Sequence, residues 1–183
     1  MNLRTASSLF REGRLWLLWK VTSLFRPFYR VSFVASAASC GLLGLLRSGP
    51  RPFGSLAREL APDPSAEDAL RAWLALGVRL GELGEGPDGY RLVGYLSREL
   101  SHPDNDDVAA LVSEVVTLHH RLILETPGRL GRRALWAPDE HDGCLIARSS
   151  RILEPFVFQA QGRVVPASGP ASLLDVGCGA GTY

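Results

Sequence analysis

The apolar and polar positions divide the chain into a run of helices, one hairpin and one short terminal strand. Residues 7–25 predict a first helix that Pro27 stops, with Gly13 as a weak point. Its apolar residues Leu9, Phe10, Leu15, Trp16, Leu18, Trp19 and Leu24 cover more than one face, so something must cover it in turn. Residues 31–47 predict a second, buried helix. The stretch GPRPFGSLARELAP then turns the chain into a short helix near residues 55–60. A third helix over 66–81 opens on Ser65 with Asp68 three residues on, a capping signature. Leu70, Trp73, Leu74, Leu76 and Leu80 supply its buried face. The period then changes. Leu83 and residues 90–92 flank a turn built from Gly84, Gly86, Pro87, Asp88 and Gly89, which predicts a β-hairpin over 82–93.

Beyond the hairpin the pattern is helical again. Pro103 with Asp104, Asp106 and Asp107 suits a helix N-terminus. Val108, Leu111, Val112, Val115, Leu118 and Leu122 follow at helical spacing, and Pro127 with Gly128 closes the segment. A last long helix covers residues 144–158, and 159–170 read as a connector. The order helix, short helix, helix, hairpin predicts a winged helix-turn-helix. The fold class expected is therefore mainly α, with a winged-helix domain and a small hairpin.

Composition limits the class. The chain has 183 residues, 46% hydrophobic and 21% charged, which is ordinary for a globular protein with one domain and part of another. Its net charge of +1 hides an asymmetry. Residues 1–51 hold eight Lys or Arg against one acid, Glu12, and the remainder holds twelve against eighteen. A basic, Trp-rich head suits either a partner subunit or the rest of a larger protein, or else the surface of an anionic membrane; the protein cover is the reading expected. The longest uncharged run, residues 31–46, is 16 residues, too short to span a bilayer. Three separated cysteines, Cys40, Cys144 and Cys178, with no C-x-x-C, predict neither a disulfide framework nor a zinc site and fit a reducing cytoplasm.

A DNA-reading winged helix needs a cationic recognition face. Here Arg71 and Arg79 are balanced by Glu67 and Asp68, and the wing sets Glu82, Glu85 and Asp88 against Arg91, so no nucleic-acid partner is expected. His119 and His120 sit on adjacent faces of one helix and cannot share a metal. They are read as surface or packed residues, with a proton-accepting role in a substrate pocket as the functional alternative. His141, beside Asp139, Glu140 and Asp142, is expected to be solvated.

The last twelve residues, SLLDVGCGAGTY, carry the sharpest signal. Leu173, Leu174 and Val176 form a short apolar strand, followed by Gly177, Gly179 and Gly181. Such glycines turn a strand into a helix and let a ligand approach the backbone. The G-x-G-x-x-G dinucleotide fingerprint is not met, because its third glycine position is Thr182. Asp175 two residues before G-x-G-x-G instead resembles motif I of the class I S-adenosylmethionine-dependent methyltransferases. The resemblance implies that Asp175, Gly177, Gly179 and Gly181 bind S-adenosyl-L-methionine at the start of a Rossmann-like domain, which residues 171–183 begin. It also implies that 31–100 form a winged-helix domain used for homodimerisation. Residues 1–30 then precede it as an apolar, basic helix, and 101–170 supply connecting helices over the pocket of a small-molecule methyl acceptor. The motif covers about ten residues, and the architecture most of the chain. A catalytic domain of this class needs roughly 130–180 further residues. We therefore expect an N-terminal fragment, inactive alone, in which residues 172–183 have no parallel sheet to join. The alternative is a non-enzymatic winged-helix dimerisation or regulatory module.

Overall fold

A computed structural model of the chain describes residues 14–132, 136–137 and 140–164. The described residues are mainly helical, with one two-stranded antiparallel sheet among them. Helix α1 (Arg14–Ser39) leads into α2 (Leu42–Arg47), α3 (Phe53–Leu60) and α4 (Glu67–Leu80). Strands β1 (Leu83–Gly86) and β2 (Gly89–Leu92) follow. Then come α5 (Tyr95–Glu99), α6 (Asp106–Glu114), a π-helical turn (Val115–His119), α7 (His120–Arg132), α8 (Gly143–Ser150) and α9 (Glu154–Val164). The segment from 171 to 183, with its predicted Rossmann-like strand and glycine loop, lies outside the described residues, as does the chain before Arg14.

The first difference from the sequence pattern is Pro27, which sits inside α1 rather than ending it. A proline removes one backbone hydrogen bond and crowds the preceding turn, at about 3 kcal/mol. The helix continues across it, with aromatic contacts along its own exposed side and burial only downstream. Phe25 and Phe28 both meet Tyr29, with ring centroids 6.1 and 6.0 Å apart. Downstream, Phe33, Val34, Ala35 and Ala37 are buried in the core. The apolar stretch predicted as one helix over 31–47 is instead divided. Gly41, at φ 83°, takes the left-handed conformation that glycine adopts without steric cost, and α2 starts after it.

Leu42, Leu43, Leu46, Leu56, Leu70, Leu74, Leu80 and Leu83 join these α1 residues in one core. In α4, Leu70 and Leu74 are buried as predicted but Leu76 is exposed, and Gly77 takes the buried place between Leu74 and Leu80. The reason is close approach: Phe33 of α1 lies over Gly77, and a Cβ there would stand 2.9 Å from Phe33 Cε1 and from Leu83 Cδ1. Ser65 does not cap α4. It lies in a 3₁₀ turn (Pro64–Ala66) whose own cap is Asp63, which accepts from Ser65 N–H at 2.9 Å.

The hairpin pairs Leu83 with Leu92, Gly84 with Arg91, Glu85 with Tyr90 and Gly86 with Gly89. Gly84 and Gly86 thus belong to the strand, and only Pro87 and Asp88 form the tip. Arg51 pairs with Tyr90 by an antiparallel bridge, its N–H donating at 2.9 Å and its carbonyl accepting at 2.8 Å. This short third segment ties the hairpin to the chain before α3.

Glu82 is the largest departure from the charge pattern. Expected on an acidic wing surface, it is fully buried. Its carboxylate accepts from the Arg30 guanidinium of α1 and, at 2.9 Å, from Ser97 N–H of α5. Its carbonyl accepts from Val93 N–H, Gly94 N–H and Ser97 Oγ–H at 3.0, 3.1 and 2.8 Å. One residue therefore joins α1, the hairpin and α5. A buried carboxylate is tolerable only with such a set of donors. The hairpin keeps Glu85 and Asp88 against Arg91 as its surface charges.

The second half of the chain packs through small residues. The buried side of α6 consists of Ala109, Ala110, Ser113 and Glu114, while Val108, Leu111 and Val115 of the predicted stripe are exposed. α6 packs on α8, which buries Ala147 and Ser149. Small side chains let the two backbones approach, and that proximity decides which face turns inward. Pro127 again falls inside a helix, α7, and α9 continues to Val164, into the predicted connector. No helix among the described residues is long and apolar enough to cross a membrane.

Candidate functional site

Between α6 and α7 the helical pattern passes through a π turn at Val115–His119. A π-helical turn admits an extra residue and re-aims the side chains that follow, and such turns are frequent at functional sites. Thr117 and Leu118 of this turn face a cavity of about 520 Å³, a size suited to a small organic molecule. Ser39 at the end of α1, Ser113 of α6, Arg121 of α7, and Cys144, Leu145 and Arg148 of α8 line it, with Glu140 and Asp142 at its rim.

The hydroxyl groups form a short chain. Ser113 Oγ donates to the Ala109 carbonyl at 3.0 Å and lies 3.3 Å from Ser39 Oγ, and Thr117 Oγ1 donates to the Ser113 carbonyl at 2.8 Å. The charged walls are mostly paired. Arg148 holds Asp106 with two bonds, one of them 3.0 Å from Nε, and this keeps the Asp106 carboxyl below its usual pKa. Asp142 caps α8, accepting from Leu145 N–H at 2.9 Å. Glu140 accepts from Arg129 on both oxygens and from Ala137 N–H at 2.7 Å. The Arg129 bonds, then that amide, lower its pKa to about 2. Arg129 also lies over the Trp136 ring, 3.6 Å from its centroid.

Arg121 differs. One Nη donates to the Glu140 carbonyl, and its guanidinium stands 5.3 Å from the Trp136 ring centre. Its Nε is buried and has no hydrogen-bond partner.

The structure separates the histidines of the sequence reading from this cavity. His119 closes the π turn with Nε2 3.2 Å from Glu114 Oε1, and the other oxygen of Glu114 accepts from Ser149. His120 turns to α1 and meets Phe28, ring centroids 5.6 Å apart. Neither lines the cavity. His141 is not the solvated loop residue expected: it stacks on Trp136 at 5.9 Å, and its Nδ1 is buried without a partner. Among the described residues no group of three or more His, Cys, Asp or Glu is placed to hold a metal. Asp175, Gly177, Gly179 and Gly181 lie outside the described residues.

Sequence reasoning missed Arg121, Arg148 and the hydroxyl chain. One signal was present: Ser113, Thr117 and Arg121 recur every four residues, a polar ridge along one helical line. The contributions of Ser39 and Arg148 have no local signal, because they arrive from distant parts of the chain. No protein-family model matches this chain, and neither does any curated protein.

Proposed function

We propose that the chain belongs to an S-adenosylmethionine-dependent methyltransferase acting on a small-molecule acceptor. Residues 31–100 are its winged-helix domain, and the cavity between α1, the π turn and α8 is the acceptor side of its active site. The observation that carries this reading is the sequence run Asp175, Gly177, Gly179, Gly181, which begins within the apolar stretch of Leu173, Leu174 and Val176. The donor set fits the cofactor: three glycines leave backbone amides bare for close approach, and an acid offers a hydrogen-bond acceptor. S-adenosylmethionine, when bound, supplies a methyl group activated on sulfonium sulfur. The polar walls of the cavity bind and orient the acceptor, which is much of what such a transfer requires. The helix order, the hairpin and the Arg51–Tyr90 bridge support the winged-helix reading.

Calorimetric titration of the protein from its native source with S-adenosylmethionine tests this. Binding is expected, and Asp175→Ala should weaken it by about tenfold or more, the cost of one hydrogen bond to a charged group. No binding by the wild-type protein would remove the enzyme reading.

A second reading, a non-enzymatic homodimerisation module, is supported by the outward aromatic surface of α1. Trp16 and Trp19 are 65% and 64% exposed, with Leu24, Phe25 and Phe28 beside them. Surfaces of that kind mark association sites. Sedimentation as a dimer without cofactor binding would favour it.

A further inference from the structure

The methyltransferase reading leaves the acceptor open, and the cavity walls narrow it. We propose that the cavity binds a small hydroxy-carboxylic acid, with Arg121 as the anchor for its carboxylate. That the acid is also the methyl acceptor rests on the reading above; that it binds here does not.

Each of the other charged groups of the cavity already has a partner. Arg148 is held by Asp106, Glu140 by Arg129, and Asp142 by the first turn of α8. Arg121 donates to the Glu140 carbonyl, stands by the Trp136 ring and acts on the Glu140 carboxylate through its charge, but among the described residues no carboxylate is hydrogen-bonded to it. Its buried Nε–H has no acceptor. A buried guanidinium N–H without an acceptor is costly, and a carboxylate oxygen is the group that satisfies it best.

The hydroxyl chain sets the second polar group. Thr117 gives its proton to the Ser113 carbonyl, while Ser113 Oγ already faces Ser39 Oγ. The Thr117 oxygen therefore offers lone pairs, and the complementary ligand group is a donor such as a hydroxyl. Leu118 and Leu145 add apolar lining beside these polar groups. A carboxylate for Arg121, a donor for the hydroxyl oxygen and an apolar body for the leucines together describe a hydroxy acid.

The test uses 4-hydroxybenzoate as probe, without S-adenosylmethionine, and follows the Arg121 Nε–H signal by proton–nitrogen NMR, assigned by its loss in Arg121→Lys. The acid should shift that signal. Its methyl ester, which has no carboxylate, should bind about tenfold more weakly or worse, and benzoate, which has no hydroxyl, should also bind more weakly. An ester that binds as well as the acid, or an Arg121 signal that the acid leaves unmoved, overturns the proposal. Inorganic phosphate matching the acid in affinity and shift overturns it in favour of a simple anion site. If Arg121→Lys does not fold, the acid–ester comparison on the wild-type protein decides alone. Acid binding with no S-adenosylmethionine affinity upholds this site and removes the methyl-transfer role. Cofactor binding with no acid binding does the reverse.

Discussion

Gly94 precedes α5 and has an ordinary backbone, φ −68° and ψ 147°, so alanine there meets no conformational strain of its own. What opposes Gly94→Ala is Glu82. The new Cβ would fall on Glu82 Oε2, 2.5 Å from its Cδ and 2.7 Å from its Cα. Glu82 has nowhere to move while Arg30, Ser97 N–H and three donors to its carbonyl hold it. If the carboxylate swings away, it gives up bonds to a buried charge, each worth about 1.5–3 kcal/mol. The Arg30 share is smaller because that side chain is partly exposed. If the backbones separate instead, overpacking costs about 1–3 kcal/mol. Alanine recovers about 0.4–1 kcal/mol by restricting the unfolded chain. The net destabilisation expected is about 3 kcal/mol, or a urea midpoint lower by about 1.5 M. Gly54→Ala is the control: it lies within α3 with nothing within 4 Å of its Cβ, and should be neutral or slightly stabilising. Urea unfolding followed by tryptophan fluorescence reads both. If Gly94→Ala unfolds within about 0.5 kcal/mol of the Gly54→Ala control, a difference too small for any named mechanism, the account of Glu82 as a fixed hub is wrong.

Two further outcomes follow from the packing and the charges. Gly77→Ala should destabilise by about 2 kcal/mol through overpacking against Phe33 and Leu83, and trimming the obstruction with Phe33→Leu should recover part of that loss; equal losses in both backgrounds would refute the contact. Glu140 titrates at about 2 in the folded protein against an ordinary 4.5. Its folded pKa is the lower one, so its contribution is complete above the ordinary value and drains away as pH falls through 4.5 toward 2. The stability gap between wild type and Glu140→Gln should therefore narrow over that acid range, and a gap independent of pH would contradict the Arg129–Glu140 pairing.

Much of this protein was legible along the chain. The helix over 67–80 and the hairpin after it followed from local period and turn chemistry, because a 3.6-residue stripe and a glycine-rich turn act within a few residues. The glycine motif ending at Gly181 is read from spacing alone and lies outside the described residues. Tertiary structure decided the rest. Pro27 and Pro127 were stop signals locally, yet both stay inside helices. Glu82 read as a surface acid, and only the arrival of Arg30 from 52 residues upstream and Ser97 from 15 residues downstream made it an interior one. The cavity is the same case. Ser39, Thr117, Arg121 and Arg148 meet because α6 and α8 pack through alanine and serine. A sequence records the residue types that make such an approach possible, but the site exists only where distant backbones come together.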